Sequence, residues 1–228
     1  MKFVKRLAPQ AIIFDFDGTL IKLSHMRFLS AYNKTLAKFG YPSGTLEELK
    51  ASNSIDQTFS EKITCKKTAT LAIGEFHNFF LQDKLSKEDV LPGARSLLYN
   101  LKQNKIPVAI VSNLDQALLG VQVKDVELDQ YFKVIIGASN QMPPKPNPAM
   151  LIKALDRLGL VPSMRIYFVG DTHETDIICA KQANCSSVLI SKQIYHKSNI
   201  IPDMQFNNIF QFSLLVDRHL NYKSLSHT

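Results

Sequence analysis

No stretch of this 228-residue chain reaches the roughly 18 consecutive apolar residues that a membrane-spanning helix needs, so no membrane span is expected. Cysteine is scarce. Cys65, Cys179 and Cys185 are odd in number and lack metal-ligand spacing, which argues against a disulfide framework and against a zinc site. Buried small apolar residues are the default reading for all three. Internal repeats and low-complexity tracts are absent. The net charge of +7 suits anionic substrates, but it is not gathered into a run and no basic-aromatic interleaving accompanies it, so specific nucleic-acid binding is not expected. Near the start, Lys2, Lys5 and Arg6 precede an apolar stretch too short for a signal sequence and interrupted by Asp15 and Asp17; a cytoplasmic location is the expectation.

What is present is ordinary for a globular protein: 45% apolar and 21% charged residues, in a length that fits one large domain or one domain carrying an insertion. The short apolar run Ala11-Ile12-Ile13-Phe14, bounded by Pro9 and Gly18, reads as a buried strand. It runs into Asp15-Phe16-Asp17-Gly18-Thr19-Leu20, which sets two carboxylates one residue apart at the strand's carboxyl end. Open α/β sheets bind their ligands there. Read alone, Asp-Gly-Thr also suits a solvated turn.

Residues 24–90 then read as consecutive helices, with one apolar stripe at Leu29, Tyr32, Leu36 and Phe39 and another at Ala69, Ala72, Phe76, Phe79 and Phe80. Core packing is the default role for these aromatics. From Leu91-Pro92-Gly93 onward, strands alternate with helices. Strands are predicted at 107–111, 134–136, 166–169 and 187–190, and helices near 94–101, 115–126, 148–158, 175–183 and 208–220. Units of this kind imply a parallel sheet with helices on both faces. The expected fold is α/β: a three-layer, Rossmann-like core of residues 1–23 and 91–228, with a small α-helical cap of residues 24–90 inserted after the first strand.

Three further strand ends carry polar residues. Val108 to Val111 leads into Ser112-Asn113. The loop from Met142 to Pro148 holds Lys145 between prolines. Tyr167-Phe168-Val169 leads into Gly170-Asp171-Thr172-His173-Glu174-Thr175-Asp176. Separately, Ser112-Asn113 and Asp171 could each cap a helix, and Lys145 could be a solvated loop lysine. Their joint order after successive strands points instead to one site.

In that order the residues resemble the motifs of the haloacid dehalogenase-like hydrolase superfamily: Asp15-x-Asp17-Gly18-Thr19, then Ser112, then Lys145, then Gly170-Asp171 with Asp176. With Leu91-Pro92-Gly93 ahead of the second motif, the layout looks like the phosphoglycolate phosphatase-like branch. It departs from that branch at Ile21-Lys22-Leu23-Ser24, where an Asp-Ser pair is usual, and the substrate stays open.

The resemblance implies a phosphatase acting on a small phosphorylated metabolite. Asp15 is the expected nucleophile, forming an aspartyl-phosphate, and Asp17 the general acid and base. Dehalogenase members lack a carboxylate at the Asp17 position, because a halide leaves without a proton. Mg²⁺ is the expected cofactor, held by Asp15, the Asp17 main-chain carbonyl and Asp171. Ser112, Asn113 and Lys145 are expected on the phosphoryl group, Lys145 also carrying a fixed charge beside the nucleophile. Thr19 and Asp176 are expected behind them, supporting the first turn and orienting Lys145 or metal-bound water. His173 reads as a local or solvent-facing residue. Arg27, Lys62, Lys66 and Lys67 could meet a second anionic group, although a solvated helix face is the commoner role for such lysines. A phosphomutase or phosphotransferase using the same intermediate and a catalytically silent regulatory protein are the rival readings. Monomer and homodimer both fit.

Overall fold

The computed structural model describes residues 9–52, 55–139, 142–193 and 199–225; the basic residues at positions 2, 5 and 6 lie outside them. Six parallel strands form one sheet in the order β3-β2-β1-β4-β5-β6. They are β1 (Ala11–Phe14), β2 (Val108–Asp115), β3 (Val134–Ala138), β4 (Ile166–Gly170), β5 (Ser186–Ile190) and β6 (Met204–Phe206). β1 lies at the centre, paired through Ile12 with Val108 on one side and Tyr167 on the other.

Its four residues are wholly buried, and alternate side chains enter different clusters. Ile12 and Phe14 pack with Leu97, Leu101 and Phe212, whereas Ala11 and Ile13 pack with Met150, Leu155 and Phe168. A strand covered on both faces has no polar face to show, which is why it reads as an unbroken apolar run. On the first face lie α5 (Ala94–Gln103), α6 (Gln116–Asp125) and α9 (Ile209–Leu225). On the second lie α7 (Ala149–Leu158) and α8 (Ile178–Gln182). Layering and strand order follow the doubly wound expectation.

Between β1 and α5 the chain forms α1 (His25–Lys38), α2 (Leu46–Ala51), α3 (Ile55–Lys62) and α4 (Lys66–Gln82). Ser24 caps α1, its side chain accepting from the Arg27 main chain, and Thr45 caps α2 in the same way through Glu48. Tyr32, Leu36, Phe59, Phe76 and Phe80 are fully or almost fully buried, with Phe59 set edge-on to Tyr32 and Phe76. Both predicted stripes therefore face a shared interior, though Leu29, Phe39 and Phe79 are only half-buried.

Four details differ from the sequence-based expectation. The edge strand β6 is additional to the predicted strands. β2 runs on to Asp115, with a register shift against β3 between Val111 and Asp115. The helix predicted over 175–183 begins as a π-type turn, His173–Ile177, before α8. Cys179 and Cys185 are buried, but Cys65 is exposed at the start of α4, where no packing claims it.

Candidate active site

The carboxyl ends of β1, β2 and β4 and the loop before α7 converge on one cavity of about 520 Å³. Asp15, Asp17, Ser112, Asn113, Lys145 and Asp171 all line it. Asp176 does not line it but stands directly behind Lys145. Thr19 and His173 are also outside the lining.

Lys145 is the hub. It is 3% exposed, and its Nζ donates to Asp15 Oδ1 at 2.6 Å and to Asp176 Oδ1 at 2.7 Å. Buried charges persist only when paired in this way. The solvated-loop reading of Lys145 is thus set aside. Its ammonium is held charged well above the ordinary lysine range: burial opposes the charge, and the two facing carboxylates outweigh it.

The main chain of Lys145 is fixed as well. Its N–H donates to Asn113 Oδ1 at 2.7 Å, and Asn113 Nδ2 donates to the Lys145 carbonyl at 3.1 Å. This reciprocal clamp, seated in the register shift of β2, engages the side-chain amide that the sequence assigned to phosphate and leaves one Nδ2 hydrogen uncommitted. Nothing in the residue order distinguishes a clamp from a phosphate ligand here. Ser112, 2% exposed, accepts from the Leu114 main chain at 3.1 Å, which leaves its own proton free to donate.

The π-type turn brings Asp176 back under β4. Its Oδ2 accepts from the Thr172 main chain at 3.0 Å while Oδ1 faces Lys145. Such turns recur at functional sites, because one extra residue re-aims a side chain. Two glycines make room for the carboxylates. A Cβ at Gly18, whose φ is +77°, would overlap the Asp171 carboxylate, and one at Gly170 would overlap Asp176.

Negative charge exceeds positive charge throughout. Burial raises Asp15 to about 7, with Lys145 opposing the rise and Asp176 and Asp171 adding to it. Asp17 also rises to about 7, through burial and then the neighbouring Asp15, with Arg27 and Lys145 opposing. Asp171 rises to about 6, through burial and Asp176. Oxygens of Asp15, Asp171 and Asp176 lie within 4.8 Å of one another. Three carboxylates that close, against one ammonium, concentrate negative charge that suits a small divalent cation, with Asp15 and Asp171 as its carboxylate donors because both Asp176 oxygens are engaged.

A match to the haloacid dehalogenase-like hydrolase model covers residues 12–190. The chain belongs to this family. A phosphoglycolate phosphatase from Aquifex aeolicus (strain VF5) is 27% identical over 215 residues, spanning 92% of this chain and 98% of the relative. One from Pseudomonas syringae pv. tomato is 27% identical over 205 residues, 82% of this chain and 71% of its own length. Among solved structures, a predicted phosphoglycolate phosphatase from Haemophilus somnus 129PT superposes with a TM-score of 0.74 at 20% identity, covering 90% of this chain and 97% of the other. A β-phosphoglucomutase from Clostridium difficile superposes at 0.75 with 21% identity, covering 95% and 99%. The two structures share the hydrolase fold with this chain. No helix among the described residues is long and apolar enough to cross a membrane.

The other predicted contacts fall elsewhere. Thr19 is fully buried and its Oγ1 has no hydrogen-bond partner among the described residues. His173 is buried, its Nε2 2.7 Å from the Ile200 carbonyl rather than facing solvent. Arg27 pairs with Asp83 and Lys62 with Glu48, while Lys66 and Lys67 are exposed and outside the cavity. From the helical segment, the basic residues that do line the cavity are His25 and Lys50. Neither carries a sequence signal: His25 opens α1 outside its apolar stripe, and Lys50 sits on α2, which is only six residues long and buries none of them.

Proposed function

We propose that this hydrolase is a Mg²⁺-dependent phosphatase of small phosphomonoesters, working through an aspartyl-phosphate on Asp15. The observation that carries the reading is the buried Lys145 bridging Asp15 and Asp176 at the mouth of the parallel sheet. Asp15 Oδ2 is left unengaged by Lys145 and attacks phosphorus. The bond from phosphorus to the ester oxygen breaks, and Asp17 transfers its proton to that oxygen. Asp17 suits this role: it faces the cavity, has no hydrogen-bond partner among the described residues, and its raised pKa keeps a proton available near neutral pH. In the second half, Asp17 takes a proton from water as the water attacks phosphorus. The Asp15–phosphorus bond then breaks and inorganic phosphate leaves.

Asp15, Asp171 and the Asp17 main-chain carbonyl would hold the Mg²⁺; both Asp176 oxygens are already engaged by Lys145 and Thr172. When bound, the ion supplies positive charge that offsets the repulsion between carboxylates and phosphoryl group. Lys145 and Ser112 present donors to the phosphoryl oxygens. Residues 24–90 act as a cap over the core formed by 1–23 and 91–228, excluding bulk water from the reacting atoms.

The test is release of inorganic phosphate from phosphomonoesters with Mg²⁺ present. Phosphate released in equal amount to the free alcohol is the expected result. Phosphate passed to a second hydroxyl instead would establish the phosphotransferase reading, and no turnover of any ester would establish the silent one.

A further inference from the structure

The two walls of the cavity differ in chemistry. Its acids, Asp15, Asp17, Asp115, Asp171 and Glu174, all come from the core. The helical segment contributes no acid. It supplies an apolar wall in which Phe28, Leu49, Ile55 and Phe76 take part, together with His25 and Lys50.

Lys50 has no ion-pair or hydrogen-bond partner among the described residues, whereas Arg27 pairs with Asp83, Lys38 with Glu75, Lys62 with Glu48 and Lys87 with Glu127. Lys50 lies beside Leu49, directly at the edge of the apolar wall. His25 is near enough to feel its charge: burial first, and then Lys50, hold the His25 imidazole below its ordinary range. Lys50 supplies the positive charge of this wall and His25, lining the same cavity, a ring nitrogen that can donate; together they suit an anion.

The volume bears on the same point. Cavities of about 300–1,000 Å³ hold ligands with many heavy atoms. A cavity of 520 Å³ with an apolar wall has room for more than a phosphoryl group carrying a two-carbon acid.

Resting on the phosphatase reading, we propose that the leaving group is a bulky apolar alcohol, aromatic or branched, that ends in a carboxylate or second phosphate held by Lys50 with His25. The apolar body lies against the half-buried Phe28, Leu49 and Ile55, with Phe76 behind them, while Lys145 and Ser112 hold the phosphoryl end. Discrimination by such a wall comes from apolar contact area, and discrimination at its end from one charge pair.

Calorimetric binding of phosphonates, which cannot be turned over, tests this with Mg²⁺ present. Benzylphosphonate is expected to bind at least tenfold more tightly than methylphosphonate, and 4-carboxybenzylphosphonate more tightly again. In Lys50→Gln, an exposed position that the fold does not need, the added gain from the carboxylate is expected to vanish. Equal binding of methyl- and benzylphosphonate, or a carboxylate gain that survives in Lys50→Gln, overturns the assignment. The order persisting in a protein that releases no phosphate from any ester supports this cavity assignment and overturns the phosphatase reading alone.

Discussion

The core and helical walls of the cavity are held in opposite ways. On the core wall the supporting polar atoms have fixed partners: Lys145 is tied at its ammonium, its N–H and its carbonyl, and Asp176 at both oxygens. On the helical wall, the cavity-facing charges are exposed and Lys50 is unpaired among the described residues. Reacting atoms need placement to a fraction of an ångström, so their supports are short, buried and redundant. A recognition wall gains from apolar area and a few charges, and it tolerates movement on substrate entry. The difference predicts where substitutions cost rate and where they cost selectivity.

The largest effect is expected at Asp15. Asp15→Asn should lower kcat by about 10³-fold or more, roughly 4 kcal/mol of barrier, because an amide does not attack phosphorus. The same variant should melt higher than the wild type without metal, since it removes one member of a repelling buried cluster. Residual kcat within about tenfold of wild type would remove Asp15 from the role.

Next is the clamp. Asn113→Ala deletes both bonds to the Lys145 main chain and should lower kcat by about tenfold, on the order of 1.4 kcal/mol, with KM for a small aryl phosphate little changed. Asn113→Asp keeps the acceptor for the Lys145 N–H and should recover part of the loss. A rise in KM with kcat intact would return Asn113 to direct phosphate binding.

The acid cluster links metal to pH. Asp15 and Asp17 at about 7 and Asp171 at about 6 lie above the ordinary 3.8. Between those limits the folded state binds more protons than the unfolded one, so these groups lower stability as pH rises from about 4 to 7. The Tm of metal-free protein should fall across that window, less steeply in Asp15→Asn. Mg²⁺ should raise Tm more at pH 8 than at pH 5.5, since protons and metal compete for the same oxygens. A Mg²⁺ effect independent of pH would show that the ion binds elsewhere.

The smallest effect tests a site away from the cavity. Gln122 on α6 is 1% exposed and neither side-chain polar atom has a partner among the described residues. Gln122→Met should stabilise the fold by about 1 kcal/mol in denaturant titration while leaving turnover unchanged. Destabilisation would mean that the amide has a partner, such as a bound water.

Much of the core wall was legible in the sequence because its signals are local. β1 carries its apolar run and its two aspartates within ten residues, and each later strand end marks itself by a switch from apolar to polar residues. The reciprocal clamp was not legible, because Asn113 and Lys145 are 32 residues apart and meet only through the sheet. The π-type turn escaped because a helix and a helix with one extra residue differ by geometry, not by apolar spacing. On the helical wall, α1 and α4 were legible from periodic stripes. α2 and α3, six and eight residues long, offer too few turns for a period to show, and with them went Lys50. β6 is three residues at the sheet edge and gave no alternation to read.

The central claim, that Asp15 carries the phosphoryl group, is tested most directly by trapping it. Enzyme quenched during turnover and reduced with borohydride converts an acyl phosphate to the corresponding alcohol, homoserine in place of aspartate. Peptide mass mapping should then place homoserine at position 15 and at no other aspartate. Homoserine at position 17, 171 or 176, or none at all from enzyme shown to be turning over, would contradict the account.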